Sequence, residues 1–392
     1  MKKLRVGILF GGRSGEHDVS LLSAASVLSA IDRKKYEVTP IGITREGRWV
    51  TASDAERLLS SSEQEGHLRA GDPQATSAAA VLARGEAVIV PPVSAASSLL
   101  PFETERLHPE QGLELDVVLP ILHGTFGEDG TIQGLFELAN IAYAGSGVLG
   151  SAAGMDKDVM KRLFASAGLP IPKHLALLRA DWKAEPRKAV KRLEAGLKYP
   201  LFVKPANGGS SVGISKAHDR KELGPAIELA ANYDRKIVVE QAVGGGRRGN
   251  GKARELEVAV LGNDKPEASV VGEVVPIKEF YDYEAKYLSE GSELILPAKL
   301  TRSQAKTIRE MALAAFRACD CAGLARVDFL MEPGGNGRLY LNEINTMPGF
   351  TAISMYPKLW AASGLEYPAL IDRLIALALE RHAERGATSY TR

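Results

Sequence analysis

The sequence predicts an α/β protein whose chain opens with a doubly wound sheet. Three observations carry this. Short apolar runs alternate with helix-period segments from residue 4 onward. Glycines interrupt the chain where those runs end, at Gly11-Gly12 and at Gly145 and Gly147. No apolar run reaches the ~18 residues of a membrane span. At ~150 residues per domain, 392 residues correspond to two or three domains.

Residues 4–10 are a short apolar run, read as a buried parallel strand. After Gly11-Gly12, residues 19–31 read as a helix packed through small side chains. Residues 38–43 and 115–122 are further strands, 131–140 a helix and 141–144 a short strand. Ligands of such sheets lie beyond the carboxyl ends of the strands. Residues 51–110 are rich in Ser, Ala, Glu and Pro, with one apolar run at 87–90, and are expected to be mostly a surface excursion. A helix follows at 155–167, stopped by Gly168 and Pro170. Next come a helix at 186–197, strands at 201–204 and 212–215, another helix, and a strand at 237–240. A basic Gly-rich loop, GGGRRGNGKAR, occupies 244–254. Strands at 255–261 and 269–276, a Tyr-rich loop, a helix at 302–318, a hairpin at 326–345 and a C-terminal helix complete the chain.

Lys plus Arg is 49 and Asp plus Glu is 48, for a net charge of +1. This argues against a general nucleic-acid or acidic-membrane binder, while leaving room for a local basic pocket. Two cysteines, Cys319 and Cys321, are too few for a disulfide framework or a structural zinc site and read as core residues. The N-terminus reads as a first strand, not a signal peptide, because Arg5 interrupts its apolar part and the charged segment RSGEHD follows the glycines. The expected location is the cytoplasm.

Four segments carry chemistry. In RVDFLMEPGGNGRLYLNEIN the turn centres on Gly335, so positions paired across it sum to about 670. Asp328 and Glu343 therefore face one another, and Asn345 shares the face of Glu343. Two carboxylates and an amide oxygen suit Mg²⁺; a solvated acidic face is the other reading. In FVKPANGGSSVG, residues 202–213, Gly208, Gly209, Ser210 and Ser211 offer backbone N–H groups beside Lys204. That suits a phosphate cradle, although an ordinary hairpin turn fits equally and no Walker A pattern is present. FGGRSGEHDVS, residues 10–20, puts Glu16 and His17 at a strand-end crevice. There Glu16 either holds a substrate ammonium or simply faces a helix dipole. FYDYEAKY, residues 280–287, is either a lid or an interdomain packing loop. His123, at a strand end, is either ligand-facing or structural.

In order along the chain, GGRSGEHDVS, MDK, VKP with GGSSVG, VEQ, YDYEAKY, ARVD and NEINTMPG resemble the D-alanine–D-alanine ligases of the ATP-grasp superfamily. The resemblance spans about residues 4–380. It implies an ATP-grasp fold with an N-terminal doubly wound α/β domain. The expected divisions are 1–154 for that domain, 155–241 for a small ATP-grasp subdomain and 242–392 for a C-terminal subdomain with metal site and lid. It implies ATP-dependent ligation of two D-alanines through an acyl phosphate, for peptidoglycan.

By motif, Lys157 and Lys204 would contact ATP phosphates and the loop of Gly208, Gly209, Ser210 and Ser211 would cover them. Glu240 would meet adenine, Glu255 the ribose and Lys286 the γ-phosphate. Asp328, Glu343 and Asn345 would hold two Mg²⁺ ions, or Mn²⁺. Arg326 and the Gly349 N–H match the family's oxyanion donors. Glu16 would pair with the first substrate's ammonium, and Glu16, Ser210 and Tyr287 match a hydrogen-bonded trio. His123 matches a substrate-proximal histidine, and Ser354 and Met355 lie where the second substrate's carboxylate is held. Tyr287 favours D-alanine over D-lactate as second substrate.

Two departures stand out: Gln241 replaces a Lys common in relatives, and the loop 244–252 is long. A different ATP-grasp ligase is an alternative. A non-catalytic nucleotide-binding regulator is the rival from another class, and it would be expected to lack some of these side chains. A dinucleotide oxidoreductase lacks its fingerprint here. A homodimer is the expected assembly, without nucleic-acid or membrane partners.

Overall fold

The computed structural model describes residues 2–51, 77–90, 98–101, 113–209, 211–244, 251–276, 292–333, 337–351 and 353–389. Three sheets organise them. The first has seven strands: β1 (Leu4–Gly11), β2 (Tyr36–Ile43), β3 (Trp49–Thr51), β4 (Glu86–Ile89), β5 (Ser98–Pro101), β6 (Leu113–Glu114) and β7 (Val117–Ile121), in the order β6-β5-β4-β3-β2-β1-β7. β1 pairs in parallel with β2 and β7, as the apolar residues Val6–Phe10 suit a strand covered on both faces.

Of the stretch 51–110, only 51, 77–90 and 98–101 are described, and these parts are not a surface excursion. They supply the helix Ser77–Arg84 and antiparallel edge strands, and Ala78 and Val81 are wholly buried against the first core. Isolated short strands look like loop in a sequence, because their pairing partners are remote. The expected strand at 141–144 shrinks to a single parallel bridge between Val118 and Tyr143.

The second sheet has the order β10-β9-β11-β8 and is wholly antiparallel: β8 (His174–Leu178), β9 (Leu201–Pro205), β10 (Ser215–Ala217), β11 (Lys236–Gln241). The helices Pro186–Gly196 and Arg220–Tyr233 bury Leu193, Leu223 and Ile227 on it. The strand expected at 212–215 starts only at Ser215, because Ser211 and Gly213 both take positive φ and make the preceding residues a turn.

The third sheet, order β14-β13-β12-β15-β16, is also antiparallel: β12 (Arg254–Gly262), β13 (Glu267–Pro276), β14 (Ser292–Ile295), β15 (Gly323–Met331), β16 (Leu339–Asn345). Period-two alternation assigns its faces. Leu256, Val258 and Val260 of β12, with Val327 and Phe329 of β15, point into a core closed by the helices Lys157–Ser166 and Arg302–Ala318. On the other face, Ala259, Leu261 and Leu324 join a core shared with Val6, Ile8 and Phe10 of β1 and with the helices Met355–Ala361 and Tyr367–Gly386. Further along that second face the apolar residues give way to Glu255, Glu257, Arg326 and Asp328, which sets the polar site against the N-terminal sheet.

The helix expected at 155–167 runs from Lys157 to Ser166, and a separate helix that the sequence reading did not name precedes it. Val148–Met155 ends at Asp156, whose Oδ1 accepts the N–H groups of Asp158 and Val159 at 3.1 Å each and starts Lys157–Ser166. An Asp cap of this kind contributes about 1 kcal/mol. Cys319 and Cys321 are free and buried, as expected. Among the described residues no helix is long and apolar enough to cross a membrane.

Candidate active site

The first loop is tied down before it reaches substrate space. The Ser20 hydroxyl accepts the Gly11 N–H at 2.7 Å and donates to the Ile121 carbonyl, joining the ends of β1 and β7. The Ser14 hydroxyl donates to the His123 carbonyl at 2.6 Å, and His17 Nδ1 donates to the Gly12 carbonyl at 2.7 Å. Glu16 is thereby presented, 7 % exposed, into a cavity that also gathers His123, Lys157, Gly208, Gly209, Ser211, Arg326, Glu343, Asn345 and Gly349. A Cβ on Gly209 would collide with the Glu16 carboxylate, and one on Gly124 would crowd it at 2.5 Å. The Gly-Ser loop thus needs its second glycine for close approach to Glu16, in addition to any role over phosphates.

The second cleft adjoins the first and shares Ser211 and Glu343 with it; Lys204, Glu240, Glu255 and Asp328 line its walls. Glu240 is 2 % exposed and sits between two lysines, Lys161 at 2.6 Å and Lys204 at 3.2 Å. Burial pushes its carboxyl up, but the two ammonium groups outweigh burial and hold it at about 2. Burial also pushes both lysines down. It prevails for Lys161, while Glu240 and Glu343 win for Lys204 and raise it. Lys161 donates a further bond to the Asn342 carbonyl at 3.0 Å. Lys157 donates to the Gly208 carbonyl at 2.7 Å and so holds the Gly-Ser loop.

On the third sheet, Asp328 pairs with Glu343 as the turn arithmetic predicts, and with Glu257 on its other side. Arg326 pairs with Asn345 in the same register, and a bulge at Asn342 shifts the pairs beyond it. Arg326 grips Asp328 bidentately, Nε to Oδ1 and Nη2 to Oδ2 both at 2.7 Å, and its Nε also lies 3.1 Å from Glu257 Oε2. Among the described residues no three acidic, histidine or cysteine side chains form a ligand set by themselves. Asp328, Glu343 and the Asn345 amide oxygen do fit a hard cation that draws its remaining oxygens from phosphates, as Mg²⁺ commonly does.

His123 has both ring nitrogens engaged. Nδ1 donates to the Met347 carbonyl at 3.0 Å, and Nε2 accepts from the Ser23 hydroxyl at 3.1 Å. Its burial lowers its pKa, in keeping with this neutral tautomer. Ser23 also accepts the Phe350 N–H at 3.3 Å, and Asn345 Oδ1 accepts that of Met347 at 3.1 Å. The stretch carrying Gly349 is thus anchored on both sides. The Gly349 N–H itself forms no hydrogen bond among the described residues.

Ser354 and Met355 line neither cavity. The Ser354 hydroxyl accepts the Thr351 N–H at 3.1 Å and lies 2.7 Å from the Thr351 hydroxyl, while the Met355 side chain is buried in the shared core. Ser210, Lys286 and Tyr287 lie outside the described residues, as do 245–250 of the basic loop.

Among the charged groups that sequence reasoning did not name are Lys161, Glu257 and Glu128, together with Lys216 on the wall of the second cleft. Lys161 follows Lys157 by four residues on one helix, and Glu257 follows Glu255 by two on one strand, so both shared a face with a named residue. Glu128, in HGTFGEDG, accepts the Gly124 N–H at 3.0 Å; burial, with Glu16 nearby, pushes it well above the usual carboxylate range.

Residues 5–146 match the family described as D-ala D-ala ligase N-terminus, and residues 163–376 match D-ala D-ala ligase C-terminus. The chain belongs to the D-alanine–D-alanine ligase family. A curated ligase of this name from Geobacillus kaustophilus is 50% identical over 389 residues, covering 99% of this chain and 98% of its own. One from Bacillus cytotoxicus is 47% identical over 391 residues, covering 100% of both. Among solved structures, the VanG D-Ala:D-Ser ligase of Enterococcus faecalis superposes with a TM-score of 0.78 at 35% identity, over 96% of this chain and 100% of that one. The D-alanine–D-alanine ligase of Coxiella burnetii gives 0.77 at 34%, over 98% and 97%. The fold is therefore the ATP-grasp fold with an N-terminal α/β domain.

Proposed function

We propose that this chain joins two D-alanines at the expense of ATP, giving ADP, phosphate and D-alanyl-D-alanine for peptidoglycan. The observation that carries this reading is the meeting of two clefts at Glu343 and Ser211. One cleft is lined by Lys204, Glu240 and Glu255, the other by Glu16, Arg326 and Gly349. A nucleotide in the first presents its terminal phosphate to a substrate in the second.

A carboxylate is a poor electrophile, and phosphorylation on oxygen turns it into an acyl phosphate with a good leaving group. Lys157 and Lys204 supply fixed positive charge to the transferring group, which is where phosphoryl transfer needs most help. Glu16 holds the first substrate's ammonium. Arg326 and the Gly349 N–H stabilise the oxyanion formed when the second amine attacks the acyl carbon. Glu240, kept ionised by its lysines, accepts hydrogen bonds from the adenine amino group, and Glu255 accepts from the ribose. Asp328, Glu343 and Asn345 would hold Mg²⁺ ions, which neutralise phosphate charge when bound. His123 keeps the Gly349 stretch in place. The second substrate's carboxylate is left with the Ser354 hydroxyl, shared with Thr351, and the first N–H groups of the helix Met355–Ala361. Lys286, and Tyr287 with Ser210, complete the lid side.

The domain divisions at 154 and 241, a homodimer and a cytoplasmic location belong to the same reading; light scattering tests the dimer. The activity is tested by ADP release with D-alanine alone, with D-alanine plus D-lactate or D-serine across pH, and with L-amino acids. Turnover that requires D-alanine and yields the dipeptide supports the reading. Ester as the main product at neutral pH, or turnover on L-amino acids, replaces it with another ligase. ATP binding without turnover replaces it with a regulator.

A further inference from the structure

Three carboxylates stand abreast on neighbouring strands of the third sheet: Glu257 on β12, Asp328 on β15 and Glu343 on β16, each directly paired with the next in register. Directly opposed like charges destabilise a sheet. The cost is greater where they are half-buried or buried, and Glu257 is 9 % exposed. Arg326 is placed to offset part of this row. It shares the face of Asp328, two residues away, and reaches both Asp328 and Glu257.

The arrangement contains a conflict. In the ligase reading, Asp328 serves a divalent cation together with Glu343, yet here it receives two charge-assisted hydrogen bonds from Arg326. A carboxylate oxygen facing a cation loses much of its value as an acceptor for guanidinium. When Asp328 turns to the ion, Arg326 needs another anion on its own side, and it must stay aimed into the substrate cavity.

We propose that Glu257 is a positioning residue that takes over Arg326 when Asp328 engages the divalent ion. The acidic row then divides its labour: Glu257 holds the guanidinium, while Asp328 and Glu343 face the ion. Glu257 suits this role because it lies beside Asp328 in register, on a rigid central strand, with Oε2 already 3.1 Å from Arg326 Nε. It is not placed as a third ligand, since no three acidic side chains of the described residues gather into a ligand set. Glu257 consequently links ion affinity to the aim of the oxyanion donor. Without its charge, the ion must compete with Arg326 for Asp328.

This rests on the ligase reading, but its test does not need turnover. Mn²⁺ binding in the presence of ADP is measured by paramagnetic resonance on wild type, Glu257→Gln and Glu257→Asp, with circular dichroism as the check of folding. Glu257→Gln is expected to weaken Mn²⁺ at least about fivefold with unchanged stoichiometry. Glu257→Asp, which keeps the charge, is expected to recover at least part of that affinity. In turnover, Glu257→Gln should raise both the half-saturating Mg²⁺ and the KM for D-alanine, with the KM for ATP at saturating Mg²⁺ little changed. A purely structural role would lower activity alike at every metal concentration and leave Mn²⁺ affinity where it was, and that result overturns the proposal. Loss of a bound Mn²⁺ in Glu257→Gln also overturns it, by making Glu257 a ligand. If Glu257→Gln does not fold, Glu257→Asp carries the decision: wild-type Mn²⁺ affinity and D-alanine KM support a charge role, and a failure to bind Mn²⁺ refutes it. Absence of D-alanine-dependent turnover in the wild type sinks the ligase reading instead, and leaves the Mn²⁺ result to be judged by itself.

Discussion

Replacing Lys161 with methionine removes the closer of the two cations that keep Glu240 ionised in a buried position. The Glu240 carboxyl is held at about 2 in the folded chain, against ~4.3 for a free glutamate. That difference corresponds to about 3 kcal/mol of folding free energy at pH 7. Lys161→Met leaves Glu240 buried with Lys204 alone, and breaking one side of a buried pair typically costs ~3–5 kcal/mol. With an unfolding entropy of ~2.1 cal/mol/K per residue over 392 residues, that loss lowers Tm by roughly 4–6 °C if the chain melts as one unit. Melting of Glu240→Gln and of the double variant Lys161→Met/Glu240→Gln completes the cycle. The double variant is expected to melt above Lys161→Met, because the uncompensated charge is gone. Nucleotide affinity should fall in Lys161→Met, since Glu240 loses one of the two lysines paired with it. A Lys161→Met protein that melts within ~1 °C of wild type, or a double variant less stable than both singles, would show that the pair does not carry charge as described.

Acid should act on the same group. A carboxyl with a depressed folded pKa adds stability that is complete above ~4.3 and is lost as pH falls toward 2. Wild-type Tm is therefore expected to drop more steeply than that of Glu240→Gln over this window, as melting across pH will show. Arg326→Ala should lower turnover by at least ~10²-fold while ATP still binds; near-normal turnover in steady-state assays would remove Arg326 from the mechanism. Gly209→Ala drives a methyl group into the Glu16 carboxylate and should raise the KM for the first D-alanine, with turnover down at least ~10-fold. Its far-ultraviolet circular dichroism should match wild type, and unchanged kinetics would mean the loop relieves the clash freely.

The amino-acid order alone settles what depends on near neighbours. The pairing of Asp328 with Glu343 follows from a turn of known centre, and period two then carries Asn345 onto the same face. The helix Arg302–Ala318 starts at Thr301 with Gln304 reaching back, a signal contained within four residues. The family motifs are equally local strings, and they located Glu16, Lys157, Arg326 and Gly349 of the first cleft and Lys204, Glu240, Glu255 and Asp328 of the second, but not Glu128, Glu257 or Lys216, nor Lys161, which pairs with Glu240.

What folding adds are meetings between remote segments, for which a string holds no distance. Gly209 is glycine partly because Glu16 packs against it, and Lys161 finds Glu240 across the length of chain that builds the second sheet. His123, one nitrogen on Met347 and the other on Ser23, turns out to brace the Gly349 stretch. The edge strands contributed between residues 86 and 114 were unreadable for the same reason: a strand is stabilised by its neighbour, and the neighbour is chosen only when the chain has collapsed. Arg326 shows the division most clearly. Its strand neighbour Asp328 could be read off by counting, but the hold of Glu257 on it exists only because β12 lies beside β15.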